Sequence, residues 1–158
     1  MIRLVPMSLP EYQLFVARSA KDYAAEHVRA GTWEAGDALR RAHAELGELL
    51  PQGLDTPDHF LRSVWDASGD ERVGELWYCF QRAQARPQLF VYWIGIDEKH
   101  RRRGFATDVF ERLEAVAREA GAHRVALHVF GDNTAAQAFY SRRGYRATNI
   151  VMAKDFAR

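Results

Sequence analysis

Apolar residues in the first third of the chain recur at helical spacing and predict two consecutive helices. Ser8, with Glu11 three residues later, is typical of a capping box, so a first helix is expected from there to about Ala30. Gly31 ends this helix, and Thr32 is expected to cap the second. The second helix is indicated by Leu39, Ala42, Leu46 and Leu49, and it ends before Pro51.

Runs of aromatic and β-branched side chains predict the strands. Residues 59–67 and 72–82 flank a Ser-Gly-Asp turn, which predicts an antiparallel hairpin. Apolar runs at residues 2–5 and 88–96 predict two further strands. Gly95 lies inside the second of these runs, where a glycine typically marks a β-bulge or a close approach of two backbones.

The second half of the chain continues the alternation of helices and strands. An apolar stripe along residues 109–120 predicts an amphipathic helix that Gly121 closes. Residues 123–129 are expected to form a strand, residues 133–143 a last helix, and residues 145–155 a final strand or hairpin. This order predicts a mixed α/β fold.

Composition excludes several classes of protein. With 158 residues and 18.1 kDa, residues 1–158 are expected to form a single domain with a core of its own. The single Cys79 cannot form an internal disulfide, which favours a reducing compartment. No apolar run approaches the about 20 residues of a membrane span. The formal charge of +1 gives no overall attraction to nucleic acid or membranes. A soluble, cytoplasmic protein is therefore expected.

A basic, glycine-containing loop joins the strand at residues 88–96 to the next helix. Within it, Arg101-x-x-Gly104-x-Ala106 precedes a helix start, whose unpaired N–H groups and partial positive charge favour a bound phosphate. Gly104 allows a close backbone approach. The spacing matches neither the P-loop nor the three-glycine dinucleotide motif, which argues against nucleotide hydrolysis. A solvated basic turn is the alternative interpretation of Lys99–Arg103.

A second motif follows a predicted strand and opens the last helix. It is Asn133-x-x-Ala136-x-x-Phe139-Tyr140-x-x-x-Gly144-Tyr145, preceded by Leu127-x-Val129. With both motifs in this order, residues 90–147 resemble the GNAT superfamily of N-acetyltransferases, and the chain is similar to a subgroup of small bacterial members whose acceptors are not well assigned. The resemblance implies a largely antiparallel central sheet flanked by helices, with two central strands splayed apart. The wedge between strands 88–96 and 123–129 would receive the pantetheine arm of acetyl coenzyme A (acetyl-CoA).

The resemblance also implies a set of cofactor-binding residues. Backbone amides of residues 102–106 would bind the pyrophosphate, and the strand edge at Ile94 and Ile96 would pair with pantetheine amides. The full set is Ile94, Ile96, Arg101, Arg102, Arg103, Gly104, Phe105, Ala106, Asn133, Ala136 and Tyr140.

Three of these residues share one face of the last helix, because they fall at positions i, i+3 and i+7. By the resemblance, Asn133 meets the pantetheine region and the Tyr140 hydroxyl lies by the cofactor sulfur, while the small Ala136 would leave room for ligand. A helix cap is the alternative role for Asn133, and a core aromatic is the alternative for Tyr140.

Direct transfer of an acetyl group to an amine makes three demands on a protein. A strand N–H near Ile94 can stabilise the developing oxyanion, and Tyr140, with a reference pKa of about 10, can protonate the leaving thiolate. An alkyl amine of pKa about 10.4 is mostly protonated near neutral pH, so a base or a proton-accepting water is needed. Some GNAT proteins carry a carboxylate on the strand that corresponds to residues 91–94, and this chain has none there, so Glu75, Glu26 and a water chain are the candidates for the base. A solvated surface carboxylate is the alternative for each glutamate.

The resemblance implies an enzyme that moves an acetyl group from acetyl-CoA to a primary amine of a small molecule or peptide in a ternary complex, without a metal ion. By the same resemblance, the first two helices would wall the acceptor pocket. Tyr23, Glu26, His27 and Trp33 in this region would suit a cationic amine or simply pack in the core. The alternatives are a non-catalytic acyl-CoA sensor and a polyanion-binding protein. No nucleic-acid or membrane partner is expected, and a homodimer is left open.

Overall fold

Residues 1–157, which the computed structural model describes, are organised around a five-stranded sheet. The strands are β1 (Ile2–Pro6), β2 (His59–Asp66), β3 (Glu71–Gln81), β4 (Gln88–Ile96) and β5 (Arg124–Leu127). They lie in the order β1-β2-β3-β4-β5, with antiparallel pairs up to β4 and a parallel pair between β4 and β5. The predicted mixed, largely antiparallel α/β fold is confirmed.

Four α-helices accompany the sheet within the described residues. They are α1 (Leu9–Arg29), α2 (Ala35–Leu49), α3 (Phe105–Glu119) and α4 (Thr134–Arg142), with short 3₁₀ turns at Gly53–Asp55 and Glu98–His100. The chain divides into two compact units, Met1–His128 and Val129–Arg158, and α4 belongs to the second. The single domain expected from length stays a prediction. No helix among the described residues is long and apolar enough to cross a membrane.

The start of α1 has the predicted capping box. The Ser8 hydroxyl accepts a hydrogen bond from the Glu11 amide, and the Glu11 carboxylate accepts one of 2.7 Å from the Ser8 amide. Glu11 also accepts a bond of 2.8 Å from the fully buried Ser63 hydroxyl of β2. Burial alone would raise the pKa of the Glu11 carboxyl, but these hydrogen bonds hold it below its ordinary value. The carboxylate that caps α1 therefore also ties the helix to the sheet.

The predicted role of Thr32 as a cap of the second helix is wrong. Its hydroxyl donates to the His27 carbonyl at 3.1 Å and lies 2.6 Å from His27 Nδ1. Thr32 therefore closes the end of α1, next to Gly31, whose positive φ of 75° is that of a helix stop. The second helix starts after Glu34, whose side chain caps no described amide. The Thr32 amide also donates to the His27 carbonyl, at 3.0 Å, so backbone and side chain of Thr32 both bind the end of α1.

The β-bulge of β4 lies at Tyr92. Val91 pairs with Tyr78 and Trp93 pairs with Trp77, so Tyr92 is the extra residue on its strand. The bulge turns two successive aromatic side chains, Tyr92 and Trp93, toward the core cluster formed with α1 and α2.

Gly95 marks a close backbone approach rather than the bulge. It pairs in regular register with Glu75, and its carbonyl oxygen would lie only 2.2 Å from a β-carbon placed on Gly74. Glycine at position 74 therefore allows β3 and β4 to approach each other here.

The core of the first unit covers both faces of the sheet. Trp77 packs with α1 and α2, while the adjacent Leu76 points to the opposite face and is fully buried as well. The helix α3 packs against β1, β4 and β5, and its Val109, Phe110 and Leu113 are fully buried. The sheet is therefore held rigidly at the point where β4 leads into the basic loop.

Two predictions for the C-terminal part are corrected. The strand predicted at residues 123–129 is shortened to Arg124–Leu127, and the final strand or hairpin predicted at residues 145–155 is absent. A strand needs a neighbour for its backbone groups, and no described strand pairs with this stretch.

Candidate active site

The outer edge of β4 is open from Tyr92 onward. Parallel pairing with β5 covers Gln88–Val91, and its last pair is Val91 with Leu127. Beyond it, β4 continues to Ile96 with no partner on that side among the described strands. The two strands therefore diverge, as predicted for the central pair of the sheet.

Alternation along β4 decides which amides face the open edge. The Asp97 amide donates to the Val73 carbonyl of β3 at 2.9 Å, so the amides of Ile96 and Ile94 point the opposite way. The Ile96 carbonyl accepts a bond of 3.0 Å from Arg101 Nε. The predicted pair Ile94 and Ile96 thus presents two amides on the open edge.

The loop after β4 leaves a row of backbone amides unpaired. The chain takes positive φ angles of 59° at Arg102 and 85° at Gly104 before α3 begins. The helical bonds start with the Asp108 amide, which donates to the Gly104 carbonyl at 3.1 Å. The amides of residues 102–106 donate to no acceptor in the described chain. Five consecutive donors at the positive end of a helix suit an anion.

Most basic side chains of this loop are already engaged. Lys99 binds Glu71 at 2.6 Å, and Arg101 binds the backbone as described above. The Arg103 guanidinium lies 5.1 Å from the centre of the Phe105 ring. The exposed Arg102 guanidinium has no partner among the described residues, so it is the cation of the loop most accessible to a phosphate.

His100, which no motif indicated, supports the loop from inside. It is 3% exposed, and Arg103 Nη1 lies 3.2 Å from its Nδ1. A guanidinium can only donate, so Nδ1 is the acceptor and Nε2 carries the proton. Nε2 lies 3.3 Å from Glu71 Oε1 without an aligned hydrogen bond. Lys99, bound to the same carboxylate, holds the pKa of Glu71 below its ordinary value.

In the second unit, Asn133 is the N-cap of α4. Its side-chain oxygen accepts a hydrogen bond of 3.2 Å from the Ala136 amide. The capping role is therefore present, and contact with a cofactor stays a prediction. Ala136 and Tyr140 follow along the same helix, and both are half-buried.

Tyr140 has the properties of a phenol that stays protonated. Burial raises its pKa above the ordinary value of 10.0. The rings of Phe139 and Tyr145 lie 5.4 Å and 5.8 Å from it, centre to centre. At neutral pH the hydroxyl is therefore available as a proton donor.

Glu75 belongs to a buried network of charges. It is 4% exposed and accepts hydrogen bonds from Arg18 and Arg72, the latter at 2.9 Å. Arg72 also lies 3.6 Å from Asp97 and 3.8 Å from Glu11. The interpretation of Glu75 as a solvated surface carboxylate is wrong, because both arginines hold it between α1 and the sheet.

The aromatic residues expected at the acceptor pocket pack on one another. The His27 ring stacks on Trp33 with centres 3.9 Å apart, and the Arg41 guanidinium lies 4.8 Å from the centre of the Trp33 ring. Tyr23 donates to Glu45 at 2.9 Å, and burial together with this bond raises the pKa of Tyr23 to about 12. These contacts favour core packing of the aromatic residues over an open aromatic cage.

Glu26 lies beside this cluster on α1. Burial is the main cause of the raised pKa of Tyr23, and the Glu26 charge adds to it. Burial lowers the pKa of His27, and the charge of His128 lowers it further. His128 directly follows β5. Glu26 is half-buried and is next to His27 in α1.

Residues 31–145 match the model of the Acetyltransferase (GNAT) family. The chain belongs to this family. Its GNAT relatives include two proteins of Bacillus subtilis strain 168, each described as an uncharacterized N-acetyltransferase. YycN is 35% identical over 155 residues, which cover 97% of both chains. YdgE is 32% identical over 152 residues, which cover 96% of both chains.

A crystal structure of YycN has the same GNAT fold over its whole length. It aligns with a TM-score of 0.93 at 34% identity and covers 100% of both chains. A protein of Pseudomonas phage PaMx11, named 5-NmdU N-acetyltransferase, is 30% identical over 119 residues, which are 68% of this chain and 83% of the phage protein. These likenesses establish a GNAT acetyltransferase and leave its acceptor open.

Proposed function

We propose that this GNAT protein transfers the acetyl group of acetyl-CoA to a primary amine of a small molecule or a peptide, by direct attack in a ternary complex. The observation that carries the proposal is the row of unpaired amides at residues 102–106, continuous with the open edge of β4. A pyrophosphate needs convergent N–H donors, and an extended chain of amides needs a strand edge. One stretch of this chain offers both.

Binding of acetyl-CoA would use the backbone more than the side chains. The amides of residues 102–106 receive the pyrophosphate, with the exposed Arg102 as the neighbouring cation. The amides of Ile94 and Ile96 pair with the pantetheine arm. Arg101 holds the carbonyl of Ile96, which fixes the end of the strand edge. We also assign cofactor contacts to Asn133 and Ala136 on α4.

In the chemical step, the amine nitrogen forms a bond to the thioester carbon, and the bond from that carbon to sulfur breaks. A β4 amide near Ile94 donates to the oxygen on which negative charge develops. Tyr140, whose pKa is raised by burial, gives its proton to the leaving thiolate and regains one from water. The products are the N-acetylated acceptor and free coenzyme A.

A proton must also leave the attacking amine, and we assign its removal to Glu26, directly or through a water molecule. Glu75 is the weaker candidate, because it is 4% exposed and its Oε2 already accepts hydrogen bonds from two guanidinium groups. Glu26 is half-buried on α1 beside Tyr23, in the region where the acceptor is expected, which supports the assignment. Replacement of Glu26 by Gln is therefore expected to lower kcat/KM at neutral pH, with a smaller loss at alkaline pH, where the amine is neutral.

The names of the relatives support an amine acceptor. YycN, YdgE and the phage protein are each described as an N-acetyltransferase. We therefore expect nitrogen rather than oxygen or sulfur to receive the acetyl group here.

Thermal unfolding with acetyl-CoA, and with ATP at equal ionic strength as a polyanion control, tests the binding part of the proposal. At about 100 times the dissociation constant, acetyl-CoA should add about 2.7 kcal/mol to the free energy of unfolding. Release of coenzyme A from acetyl-CoA in the presence of a panel of primary amines then tests turnover. Stabilisation by acetyl-CoA without turnover on any amine would favour the acyl-CoA sensor, and equal stabilisation by ATP would favour a general anion site.

A matched pair of glycine variants tests the phosphate loop itself. Gly104 and Gly121 flank α3 with φ angles of 85° and 76°, and at neither would an added β-carbon meet a described atom within 4 Å. Alanine should therefore cost about 1–2 kcal/mol of stability at either position. Gly104→Ala alone places a methyl group in the proposed anion site and should weaken acetyl-CoA binding at least about tenfold. Equal affinity in the two variants would contradict the site.

A further inference from the structure

The phosphate loop, residues 101–104, contains a residue in an unfavourable backbone conformation. Arg102 has a φ of 59°, in the left-handed region where a β-carbon crowds the following carbonyl oxygen. Gly104 has a φ of 85° without this cost, because it has no β-carbon. A strained residue of this kind persists only where the surrounding structure holds it. The contacts that hold Arg102 therefore decide whether the amides of residues 102–106 stay presented to an anion.

Backbone hydrogen bonds hold this part of the chain only up to Arg101. The His100 amide donates to the Asp97 carbonyl at 2.8 Å, and the Arg101 amide donates to the Glu98 carbonyl at 3.2 Å. The amides that follow, those of residues 102–106, have no acceptor within residues 1–157. Side chains must therefore hold the rest of the phosphate loop.

Three side chains, His100, Arg103 and Phe105, bridge the strained residue, and we call them the loop strut. Arg103 Nη1 donates to His100 Nδ1 at 3.2 Å, and the Arg103 guanidinium lies 5.1 Å from the centre of the Phe105 ring. The rings of His100 and Phe105 meet edge to face, with their centres 6.2 Å apart. They are only 3% and 7% exposed. Because one ring precedes the loop and the other begins α3, the Arg103 side chain links the two ends of the loop.

The sheet fixes the imidazole end of the loop strut. His100 Nε2 carries the proton and lies 3.3 Å from Glu71 Oε1. Glu71 is the first residue of β3, and Lys99 Nζ binds the same oxygen at 2.6 Å. The negative carboxylate favours the tautomer whose Nδ1 can accept a hydrogen bond from Arg103.

We propose that the Arg103 side chain positions the phosphate loop through His100 and is not itself a phosphate ligand, which leaves Arg102 as the cation that faces the pyrophosphate. This inference rests on the proposed binding of acetyl-CoA. To contact a phosphate, Arg103 would have to give up its hydrogen bond to His100 and its contact with Phe105. The exposed Arg102 makes no competing contact among the described residues.

Isothermal titration calorimetry with acetyl-CoA distinguishes a strut from a ligand. His100→Leu and Arg103→Met break the same hydrogen bond, so each should weaken binding at least about tenfold. The double variant should then bind no more weakly than either single variant. Arg102→Met should weaken binding independently, so that its effect multiplies that of His100→Leu. Multiplied effects of His100→Leu and Arg103→Met, or an unchanged affinity in either, would overturn the proposal.

Rescue, salt dependence and a control variant show that the effect is not a general loss of structure. His100→Asn keeps an oxygen acceptor near the position of Nδ1 and should bind acetyl-CoA within about threefold of the wild type. Because salt screens a phosphate contact, Arg102→Met should lower the salt dependence of the affinity, and Arg103→Met should not. His59→Leu is the matched control, since His59 Nδ1 also accepts a side-chain hydrogen bond, of 3.0 Å from Trp77 Nε1, and it should not change the affinity. Failure of the Asn rescue, or an equal loss of salt dependence in the two arginine variants, would refute the assignment.

Limited proteolysis of the free protein tests the loop strut without any ligand. Trypsin cuts after arginine in segments that open locally. Cleavage after Arg101 and Arg102 should be at least about tenfold faster in His100→Leu than in the wild type, and unchanged in His59→Leu. Equal rates in His100→Leu and the wild type would refute the loop strut. A wild type that bound no acetyl-CoA would contradict the proposed function instead, and the cleavage rates would still decide whether His100 holds the loop.

Discussion

At the scale of single residues, Tyr140 combines a buried phenol with a raised pKa. Replacement by Phe removes the proton donor and keeps the ring, so kcat should fall by about 10²–10⁴-fold while the KM for acetyl-CoA changes little. Because the acid must be protonated, and burial raises its pKa above the ordinary value of 10.0, the wild type should show no alkaline loss of kcat between pH 7 and about pH 9.

Steady-state kinetics against pH check this prediction, and Tyr145 supplies the control. Its ring lies 5.8 Å from that of Tyr140 and carries the same hydroxyl. Tyr145→Phe should leave kcat within about twofold of the wild type. Such a change is far below the about 10²–10⁴-fold loss expected when a general acid is removed. Equal kcat values for the two variants would remove Tyr140 from the mechanism.

The Ser63 hydroxyl donates to a carboxylate that also caps a helix. Ser63→Ala removes this donor from Glu11 and should lower the free energy of unfolding by about 1.5–3 kcal/mol at pH 7. The folded-state pKa of Glu11 is depressed, so its stabilisation is present above the unfolded pKa of about 4.5 and is lost as pH falls through the folded value. The cost of Ser63→Ala should therefore shrink below pH 4.5.

Urea unfolding at pH 7 and pH 3.5 measures this difference. Ser19 is a matched control, because it is 4% exposed and its hydroxyl donates to the Val16 carbonyl, which does not titrate. The cost of Ser19→Ala should be the same at both pH values. A cost of Ser63→Ala that is equally independent of pH would show that the charge of Glu11 does not matter.

Sequence reasoning selects candidate residues that lie in local motifs, and it misses contacts between residues that are far apart in the chain. Arg102, Gly104 and Tyr140 stand in short motifs, where spacing alone carries the signal. Arg18 and Glu75 are 57 residues apart, and nothing in the sequence links them before the sheet brings them together. The burial of Glu75 could not be predicted, because a charged residue is buried only when its partners are present.

At the scale of helices and strands, the same division appears. The capping box at Ser8 and the stop at Gly31 were predictable, since each depends on residues within one turn. The place of the bulge depends on the register between β3 and β4, so the glycine in the β4 sequence indicated the close backbone approach but not the position of the bulge. Thr32 was misplaced because a hydroxyl can serve either the end of one helix or the start of the next.

Replacement of two glycines in different elements by alanine should change the stability of the protein in opposite directions. Gly47 lies in α2, where a β-carbon would meet no described atom within 4 Å, so Gly47→Ala should stabilise the protein by about 1 kcal/mol through helix propensity. At Gly74 the new atom would lie 2.2 Å from the Gly95 carbonyl oxygen, and Gly74→Ala should cost about 1–3 kcal/mol or more.

Urea unfolding of the two variants beside the wild type gives both free energies. A neutral effect of Gly74→Ala would mean that β3 and β4 can separate at this point without cost. Such a result would contradict the close approach of their backbones.

At the scale of the whole molecule, stability is concentrated in β3. Residues 73–79 are all buried, and this strand pairs with β2 and β4 on its two sides. Its amides should be the slowest to exchange in native-state hydrogen exchange and should open only with global unfolding. Residues 129–157, with no buried side chain, should exchange faster in dilute solution. Faster exchange in β3 than in β1 would contradict this order.

The order of helices and strands, and the family, could be predicted from the sequence because each element carries its own periodicity. The absence of a strand at residues 145–155 could not be predicted from the sequence. Their sequence favours a strand, but a strand exists only where a neighbouring edge is available, and that edge is a property of the assembled molecule.

The hydrogen bonds of the Glu11 carboxylate cannot all form at the same time during folding. Its bonds with Ser8 span three residues and can form as soon as the first helix leaves the ribosome. Its bond with Ser63 spans 52 residues and must wait until β2 has been synthesised. Loop closure of that length is slow compared with a helical turn. One side chain therefore takes part in two successive stages of folding, first the start of a helix and later its docking on the sheet.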